Sequence, residues 1–243
     1  MIHIAAAGDV HFGADSAGSY RARLHHLAER ADVFLLAGDL TRVGEPAEAK
    51  VLADELRDLA VPTVAVLGNH DYHADRSEEV TAVLESAGIE VLEGTATVVD
   101  VGGLRLGIAG TTGFGGGFPG AGGSEFGERE MKAFMAHSRY LAERLEAALC
   151  ALDVDVKVAL LHYSPCPATL AGEPLEIYPF LGSGFLADAV DRAGAALALH
   201  GHAHRGSPEG ATPAGVPVRN VALPVIGHAY TCFDLTVQEA FVG

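Results

Sequence analysis

The stretch ALALHGHAHRG, residues 196–206, places His200, His202 and His204 at every second position directly after an apolar run. A short apolar run of this kind is typical of a buried strand, and the polar residues then lie just past its carboxyl end. Four other runs end in the same way: IHIAAAGDVH (2–11), VFLLAGDL (33–40), TVAVLGNHD (63–71) and KVALLHYSP (157–165). The sequence therefore predicts five strands that each deliver polar side chains at one end.

Helical patterns separate most of these runs. Helical patterns occur in five segments: 19–31, 45–60, 77–88, 127–152 and 183–194. Ser77 stands where the third of these helices would begin, and Gly194 stands where the fifth would end. Alternating strands and helices predict parallel strands joined by right-handed crossovers. The β-type patterns of 95–110 and 215–237 lack an intervening helix and predict a second, partly antiparallel sheet. The glycine-rich segment 110–127 is expected to be an irregular surface loop.

Bulk properties narrow the class of protein. The 243 residues suit one domain, 1–243, and 49% hydrophobic residues supply ample material for its core. No apolar run reaches the roughly 18–20 residues of a membrane span, and the N-terminus lacks the pattern of a signal peptide, so we expect a cytoplasmic protein without membrane association. A net charge of −16 argues against general nucleic-acid binding. It would also disfavour an anionic substrate, unless bound cations dominate the local field.

The polar residues at the five strand ends form a set with the chemistry of a metal site. Carboxylate, amide and imidazole groups without a thiolate suit manganese, iron or zinc in a catalytic rather than a structural site. The set is too large for one transition metal with an open position and fits two metals that share a carboxylate, as in enzymes that hydrolyse phosphate esters. Its members are Asp9, His11, Asp39, Asn69, His162, His202 and His204.

Five motifs occur in order between residues 9 and 204: D-x-H (Asp9–His11), GD (Gly38–Asp39), GNHD (Gly68–Asp71), a lone His162 after a strand, and GHxH (Gly201–His204). In this combination the chain resembles the calcineurin-like metallophosphoesterase superfamily. The resemblance implies a four-layer αββα sandwich, in which two mixed β-sheets are flanked by helices.

The resemblance also implies roles for individual residues. Asp9, His11, Asp39 and His204 would hold one divalent ion, while Asp39, Asn69, His162 and His202 would hold the other, with Asp39 bridging. Gly201 is expected to allow the tight turn that aims His202 and His204 at the metals. His70 would donate a proton to the leaving group, and Asp71 would orient its imidazole and raise its pKa. His200 is left over, either as a hydrogen-bonded histidine of the strand or as a partner of a ligand.

The predicted function is hydrolysis of a phosphomonoester or phosphodiester bond in a small phosphorylated substrate or nucleotide, by a hydroxide that bridges the metals. The alternative is a catalytically silent metal-binding scaffold of the same fold. No tyrosine stands three residues after Asp39, which argues against the purple-acid-phosphatase branch. Segment 110–127 is either a loop over the metals that shapes the substrate pocket with Phe114 and Phe118, or plain surface. The native metals and the oligomeric state stay open.

Overall fold

The computed structural model describes residues 1–236, and its first sheet contains the first three predicted strands. The strands of this sheet are β1 Ile2–Ala7, β2 Val33–Ala37, β3 Thr63–Val66, β4 Ile89–Val91 and β13 Thr231–Leu235. Parallel pairing joins β1 to β2, β2 to β3 and β3 to β4, whereas β13 pairs antiparallel with β1 at the edge.

The second sheet has six strands in the order β11-β12-β10-β9-β6-β5. Its four inner strands are parallel, and the two outer strands pair antiparallel with their neighbours. The bounds are β5 Thr95–Val101, β6 Leu104–Thr111, β9 Val156–Leu161, β10 Leu197–His200, β11 Glu209–Ala211 and β12 Pro217–Asn220. A separate two-stranded hairpin is formed by β7 Gly117–Phe118 and β8 Ala121–Gly122.

Helices cover the outer faces of both sheets. Their bounds are α1 Leu27–Arg30, α2 Pro46–Leu56, α3 Ser77–Ser86, α4 Arg129–Ala151, α5 Tyr178–Leu181, α6 Gly184–Ala193 and α7 Leu223–Ile226. Residues of β1, β2 and β3 pack in one core cluster with α2 and α3, and residues of β9 and β10 pack in another with α4 and α6. Ser183 caps the start of α6 by accepting a hydrogen bond from the Phe185 amide, and Gly194 ends it in the left-handed conformation.

The core between the sheets follows from the alternation of side chains along each strand. In β2, Phe34 and Leu36 pack toward the helices, while Leu35 packs against the facing sheet together with Val64 and Ile108. All five side chains are almost completely buried, and burying one such side chain stabilises the fold by about 1.5–3 kcal/mol. The predicted four-layer αββα sandwich is confirmed.

The predicted helix over 19–31 is wrong for most of its length. The structure has a 3-10 turn at Arg21–Arg23 and the four-residue α1. The carboxylate of Glu55 accepts hydrogen bonds from the backbone N–H groups of Tyr20 and Arg21 at 3.0 and 2.7 Å. The Tyr20 hydroxyl also donates to the Ala229 carbonyl at 2.6 Å. These tertiary contacts fix a bent backbone that a helical pattern alone does not reveal.

Three smaller expectations also need correction. Ser77 does not cap α3, because the cap position belongs to Arg76 and has no side-chain hydrogen bond. Segment 110–127 contains the β7–β8 hairpin. Segment 215–237 does not form one sheet: β12 lies in the second sheet, α7 follows, and β13 joins the first sheet. Residue 237 of that prediction lies outside the described residues.

Candidate metal centre

The carboxyl ends of five strands meet at one edge of the sandwich. The segments after β1, β2 and β3 come from the first sheet, and those after β9 and β10 come from the second. Backbone hydrogen bonds join the two sides, such as that from the Gly8 amide to the Val221 carbonyl at 2.8 Å. This edge brings together all seven side chains of the predicted set: Asp9, His11, Asp39, Asn69, His162, His202 and His204.

The first donor group consists of Asp9, His11, Asp39 and His204, whose ligand atoms all lie within 4.8 Å of one another. Nε2 of His204 donates to Oδ1 of Asp9 at 2.8 Å, and Nε2 of His11 lies 3.7 Å from Oδ2 of Asp39. Nε2 of His11 is buried and has no hydrogen-bond partner among the described residues. A buried polar atom without a partner is costly, and a cation in this group would satisfy it.

The second donor group consists of Asp39, His162 and His202, again with ligand atoms within 4.8 Å of one another. Oδ1 of Asn69 joins this group at 3.0 Å from Nε2 of His162. Asp39 belongs to both groups, since its Oδ1 lies 3.3 Å from His162 Nε2 while its Oδ2 faces His11.

The outer hydrogen bonds of two imidazoles fix which nitrogen is left for a metal. Nδ1 of His162 donates to the Ala37 carbonyl at 2.9 Å, so in the neutral ring Nε2 carries a lone pair. That lone pair faces Oδ1 of Asn69 and Oδ1 of Asp39. These three atoms all offer electron pairs and have no hydrogen to share among them, so a cation between them would satisfy all three. Nε2 of His202 donates to the Phe180 carbonyl at 3.3 Å, which leaves its Nδ1 available. The donor set fits divalent cations.

The backbone of the site is strained at four positions of this set. Asp9, His11, Asp39 and His202 have φ values of 56°, 44°, 49° and 68°, in the left-handed region that costs non-glycine residues about 1–3 kcal/mol each. Among the described residues only two other non-glycine positions, Asp58 and Asp75, adopt this conformation. The left-handed turns therefore concentrate at the candidate centre.

Two motif glycines are required for space. A Cβ atom on Gly68 would stand 2.2 Å from Oδ1 of Asp39, and one on Gly201 would stand 2.3 Å from Oδ2 of Asp9. The expectation for Gly201 is thus corrected: the left-handed turn lies at His202, and Gly201 lets the Asp9 carboxylate approach the backbone.

Electrostatics hold Asp9 and His11 of the first group and His202 of the second in the forms that bind metals. Burial opposes ionisation of Asp9, but the hydrogen bond from His204 and the neighbouring imidazoles outweigh it and hold the pKa of its carboxyl below the usual value. The same hydrogen bond raises the pKa of His204. Burial lowers the pKa of His11, and it lowers the pKa of His202 to about 3. Two neutral imidazoles and an ionised carboxylate are the forms that bind metals.

His70 lies at the solvent side of the cluster. Its ring centroid is 4.5 Å from that of His11, and its Nε2 is 3.9 Å from Oδ2 of Asp39. Nδ1 of His70 donates to the Arg42 carbonyl at 2.7 Å. That bond directs Nε2 into the site as the nitrogen that can take up or release a proton.

The expected pairing of Asp71 with the His70 imidazole is wrong. Asp71 is fully buried, and its carboxylate accepts hydrogen bonds from the amides of Leu40, Thr41 and Gly68 at 3.1, 2.7 and 2.8 Å and from the Thr41 hydroxyl at 2.6 Å. Burial raises the pKa of this carboxyl, against the effect of these hydrogen bonds. Asp71 connects the segment after β2 to the segment after β3, and the Arg42 carbonyl is the partner of His70.

Replacing Asp71 with asparagine is expected to destabilise the protein. Oδ2 of Asp71 accepts hydrogen bonds from the amides of Leu40 and Gly68, and an NH₂ group in its place cannot accept them. Each buried group that loses its hydrogen bond costs about 1–3 kcal/mol. We expect the free energy of unfolding in urea to fall by about 2–5 kcal/mol. Asp75→Asn, an exposed aspartate nearby in the chain, is the control. An unchanged unfolding free energy in Asp71→Asn would contradict this role.

His200 belongs to neither donor group. It is completely buried, its Nδ1 donates to the Gly201 carbonyl and its Nε2 accepts from the Thr169 hydroxyl, both at 2.7 Å. Burial lowers the pKa of His200 to about 4. Of the two roles left open for it, the structure favours the hydrogen-bonded histidine of the strand.

The glycine-rich segment contributes to the site through one of its two predicted aromatics. Phe114 lines a cavity beside Asn69, whereas Phe118 is buried with Leu181 and Ala203 beneath the turn that carries His202 and His204. Thr112 of the same segment also lines the cavity. Its other residues were missed from the sequence, because they come from distant segments and form no motif: Tyr72, Glu93, His137 and Leu141.

Two facing sheets whose strand ends deliver this donor set define a metal-dependent phosphoesterase. The chain matches the model of the calcineurin-like phosphoesterase family over residues 2–206 and belongs to that family. No curated protein sequence matches it. None of the helices among residues 1–236 is both long and apolar enough to cross a membrane.

Solved structures share the fold at low sequence identity. Phosphopantetheinyl hydrolase from Mycobacterium tuberculosis superposes with a TM-score of 0.68 at 16% identity, covering 98% of this chain and 97% of that one. The protein TT1561 of Thermus thermophilus gives 0.57 at 18%, covering 90% and 88%. GAP50, the anchor in the inner membrane complex of Plasmodium, gives 0.55 at 14%, covering 92% and 72%.

Proposed function

We propose that this chain is a dinuclear phosphoesterase that hydrolyses a phosphomonoester or phosphodiester bond of a small phosphorylated substrate or nucleotide. The observation that carries the proposal is the position of Asp39, whose two carboxylate oxygens face two separate donor groups. Asp9, His11 and His204 would complete the site of one cation, and Asn69, His162 and His202 that of the other. Seven ligands on one domain, 1–243, suit two ions with room for substrate.

Bound divalent cations would supply an activated water at neutral pH and positive charge for the phosphoryl oxygens. The chain's own residues orient the reaction. The loaded site would stay positively charged, because Asp9 and Asp39 offset only half of the charge of two divalent ions. His70 presents Nε2 at the edge of the cluster, where it can protonate the leaving oxygen.

The surroundings favour manganese, iron or zinc and a small substrate. Imidazole, carboxylate and amide donors suit these ions. The side chains of His70 and His204 are 44% and 41% exposed, so the cluster opens to solvent. The three cysteines form no disulfide among the described residues, and Cys150 is an exposed thiol, which supports a reducing, cytoplasmic location.

A substrate panel tests the proposal. We expect the metal-loaded protein to hydrolyse p-nitrophenyl phosphate or bis(p-nitrophenyl) phosphate, and a chelator to abolish the activity. Asn69→Ala should lower kcat/KM by at least the roughly 10- to 100-fold that altered metal coordination spheres cost. His73→Ala, an exposed neighbour outside both donor groups, should leave kcat/KM unchanged. Full activity in Asn69→Ala would overturn its assignment as a ligand.

The second candidate is a silent metal-binding scaffold, and the anchor GAP50 is a solved structure that shares the fold. That likeness is one of fold alone. The complete donor set and the inward Nε2 of His70 favour an enzyme, since a scaffold has no use for a proton donor. No turnover of either ester with manganese, iron or zinc would decide for the scaffold.

A further inference from the structure

A cavity of about 330 Å³ adjoins the second donor group. Asn69 forms part of its wall and is 3.0 Å from His162, and Tyr163, directly after His162, forms another part. The volume lies in the range of about 300–1,000 Å³ that is usual for small-molecule pockets. A group attached to a phosphate at the metals would therefore extend into this cavity.

Aromatic rings form a continuous wall from the donor group into the cavity. The Tyr163 ring centroid is 4.3 Å from that of His202, and the Phe114 ring is 5.7 Å from Tyr163 and 4.8 Å from His137. Leu141, 7% exposed, adds an aliphatic surface from α4. The faces and edges that such rings present to the cavity can pack against a further aromatic ring in edge-to-face or offset contact.

Three polar side chains of the cavity, those of Tyr72, Glu93 and Thr112, hydrogen-bond with one another. The Glu93 carboxylate accepts from the Thr112 amide at 3.1 Å, from the Thr112 hydroxyl at 2.8 Å and from the Tyr72 hydroxyl at 3.3 Å. The aromatic rings and Leu141 make much of the remaining wall apolar, so a sugar or polyol, which needs many hydrogen-bond partners, would lose more hydration here than it regains. A flat apolar ring needs none.

We propose that this cavity binds the ester substituent of the substrate and selects a substituent that carries an aromatic ring. The inference rests on the proposed phosphoesterase function, which it deepens by naming a substrate class. Phe114 and His137 are the specificity-determining residues, because their rings bound the cavity and neither belongs to a donor group.

The test compares 2-phenylethyl phosphate with ethyl phosphate, whose leaving alcohols are similarly acidic, so that differences report binding of the ring. One methylene in an apolar pocket is worth roughly 10- to 200-fold in kcat/KM. We expect the phenyl group to raise kcat/KM at least about tenfold. Phe114→Ala should reduce that ratio at least about threefold, and so should His137→Ala, which truncates an exposed side chain of a long helix and is safe for folding.

Phe126→Ala is the matched control, since Phe126 is 88% exposed and outside the cavity, and its ratio should equal that of the unmodified protein. Equal kcat/KM for the two esters would overturn the aromatic preference and leave the phosphoesterase function standing. Hydrolysis of neither monoester would count against phosphomonoester hydrolysis, and bis(p-nitrophenyl) phosphate would then test the phosphoesterase function separately. In that case calorimetry with 2-phenylethylphosphonate and ethylphosphonate on the metal-loaded protein still decides, because equal affinities would overturn the cavity assignment.

Discussion

Replacing Asp39 with asparagine should lower kcat/KM by more than about 10²-fold. Loss of a residue that only orients a metal ligand costs up to about 10²-fold, and a ligand itself should cost more. The carboxylate faces both donor groups, through Oδ2 toward His11 and through Oδ1 toward His162. A neutral amide offers one oxygen in place of two and removes the charge that two neighbouring cations require. The number of metal ions bound per chain, measured by elemental analysis after dialysis, should fall together with activity.

The substitution is chosen because it spares the backbone. Asp39 has a φ of 49°, and asparagine tolerates the left-handed region as aspartate does. Asp58→Asn is the matched control, because Asp58 is an exposed aspartate with a φ of 63° outside both groups. If Asp39→Asn kept its full metal content and activity, the shared-carboxylate arrangement would have to be abandoned.

Replacing His70 with glutamine should lower kcat by roughly 10²- to 10⁴-fold for alkyl esters, the range that a general acid contributes. The loss should be much smaller for p-nitrophenyl esters, because their leaving group departs without a proton. This split follows from the hydrogen bond between Nδ1 and the Arg42 carbonyl, which leaves Nε2 facing the donor groups, 3.9 Å from Oδ2 of Asp39. Glutamine keeps a polar side chain at this position and cannot deliver a proton to the leaving oxygen.

The comparison of the two leaving groups separates proton donation from simple binding of phosphate. An equal loss with alkyl and p-nitrophenyl esters would mean that His70 holds the phosphate and does not protonate the leaving oxygen. His25→Gln, an exposed histidine outside the cluster, should match the unmodified protein with both substrates. The metal content of His70→Gln should stay that of the unmodified protein, because His70 belongs to neither donor group.

The fold and the position of the cluster were predictable because both rest on repeated local signals. A short apolar run followed by a polar residue is enough to indicate a buried strand and its end. Parallel strands place their carboxyl ends at the same edge of a sheet. Asp9, Asp39 and His162 could therefore be expected together although they are far apart in the chain. The end of α6 was predictable from another local signal, because Gly194 closes this helix in the left-handed conformation.

Features that depend on tertiary partners could not be predicted. Asp71 stands next to His70 in the sequence, which suggested a pair, but its hydrogen bonds reach the segment after β2. Glu55 bends the segment around Tyr20 from a different helix, which no pattern within 19–31 encodes. The cavity wall combines Phe114 with His137 of α4, and that neighbourhood exists only in the folded chain.

The candidate centre draws its side chains from both sheets, and this division affects how freely the rest of the chain can change. Apolar packing between the sheets has no preferred direction, so one combination of aliphatic residues of similar volume can replace another. The contacts of Asp9 with the His202 amide at 3.0 Å and with His204 at 2.8 Å are directional. Together with the hydrogen bonds from Gly8 to Val221 and from His162 to Ala37, they join the two sheets at the edge that carries the candidate centre. A few polar atoms thus fix how one sheet is aligned against the other. The apolar residues between the sheets can therefore be replaced by others of similar total volume without changing this alignment.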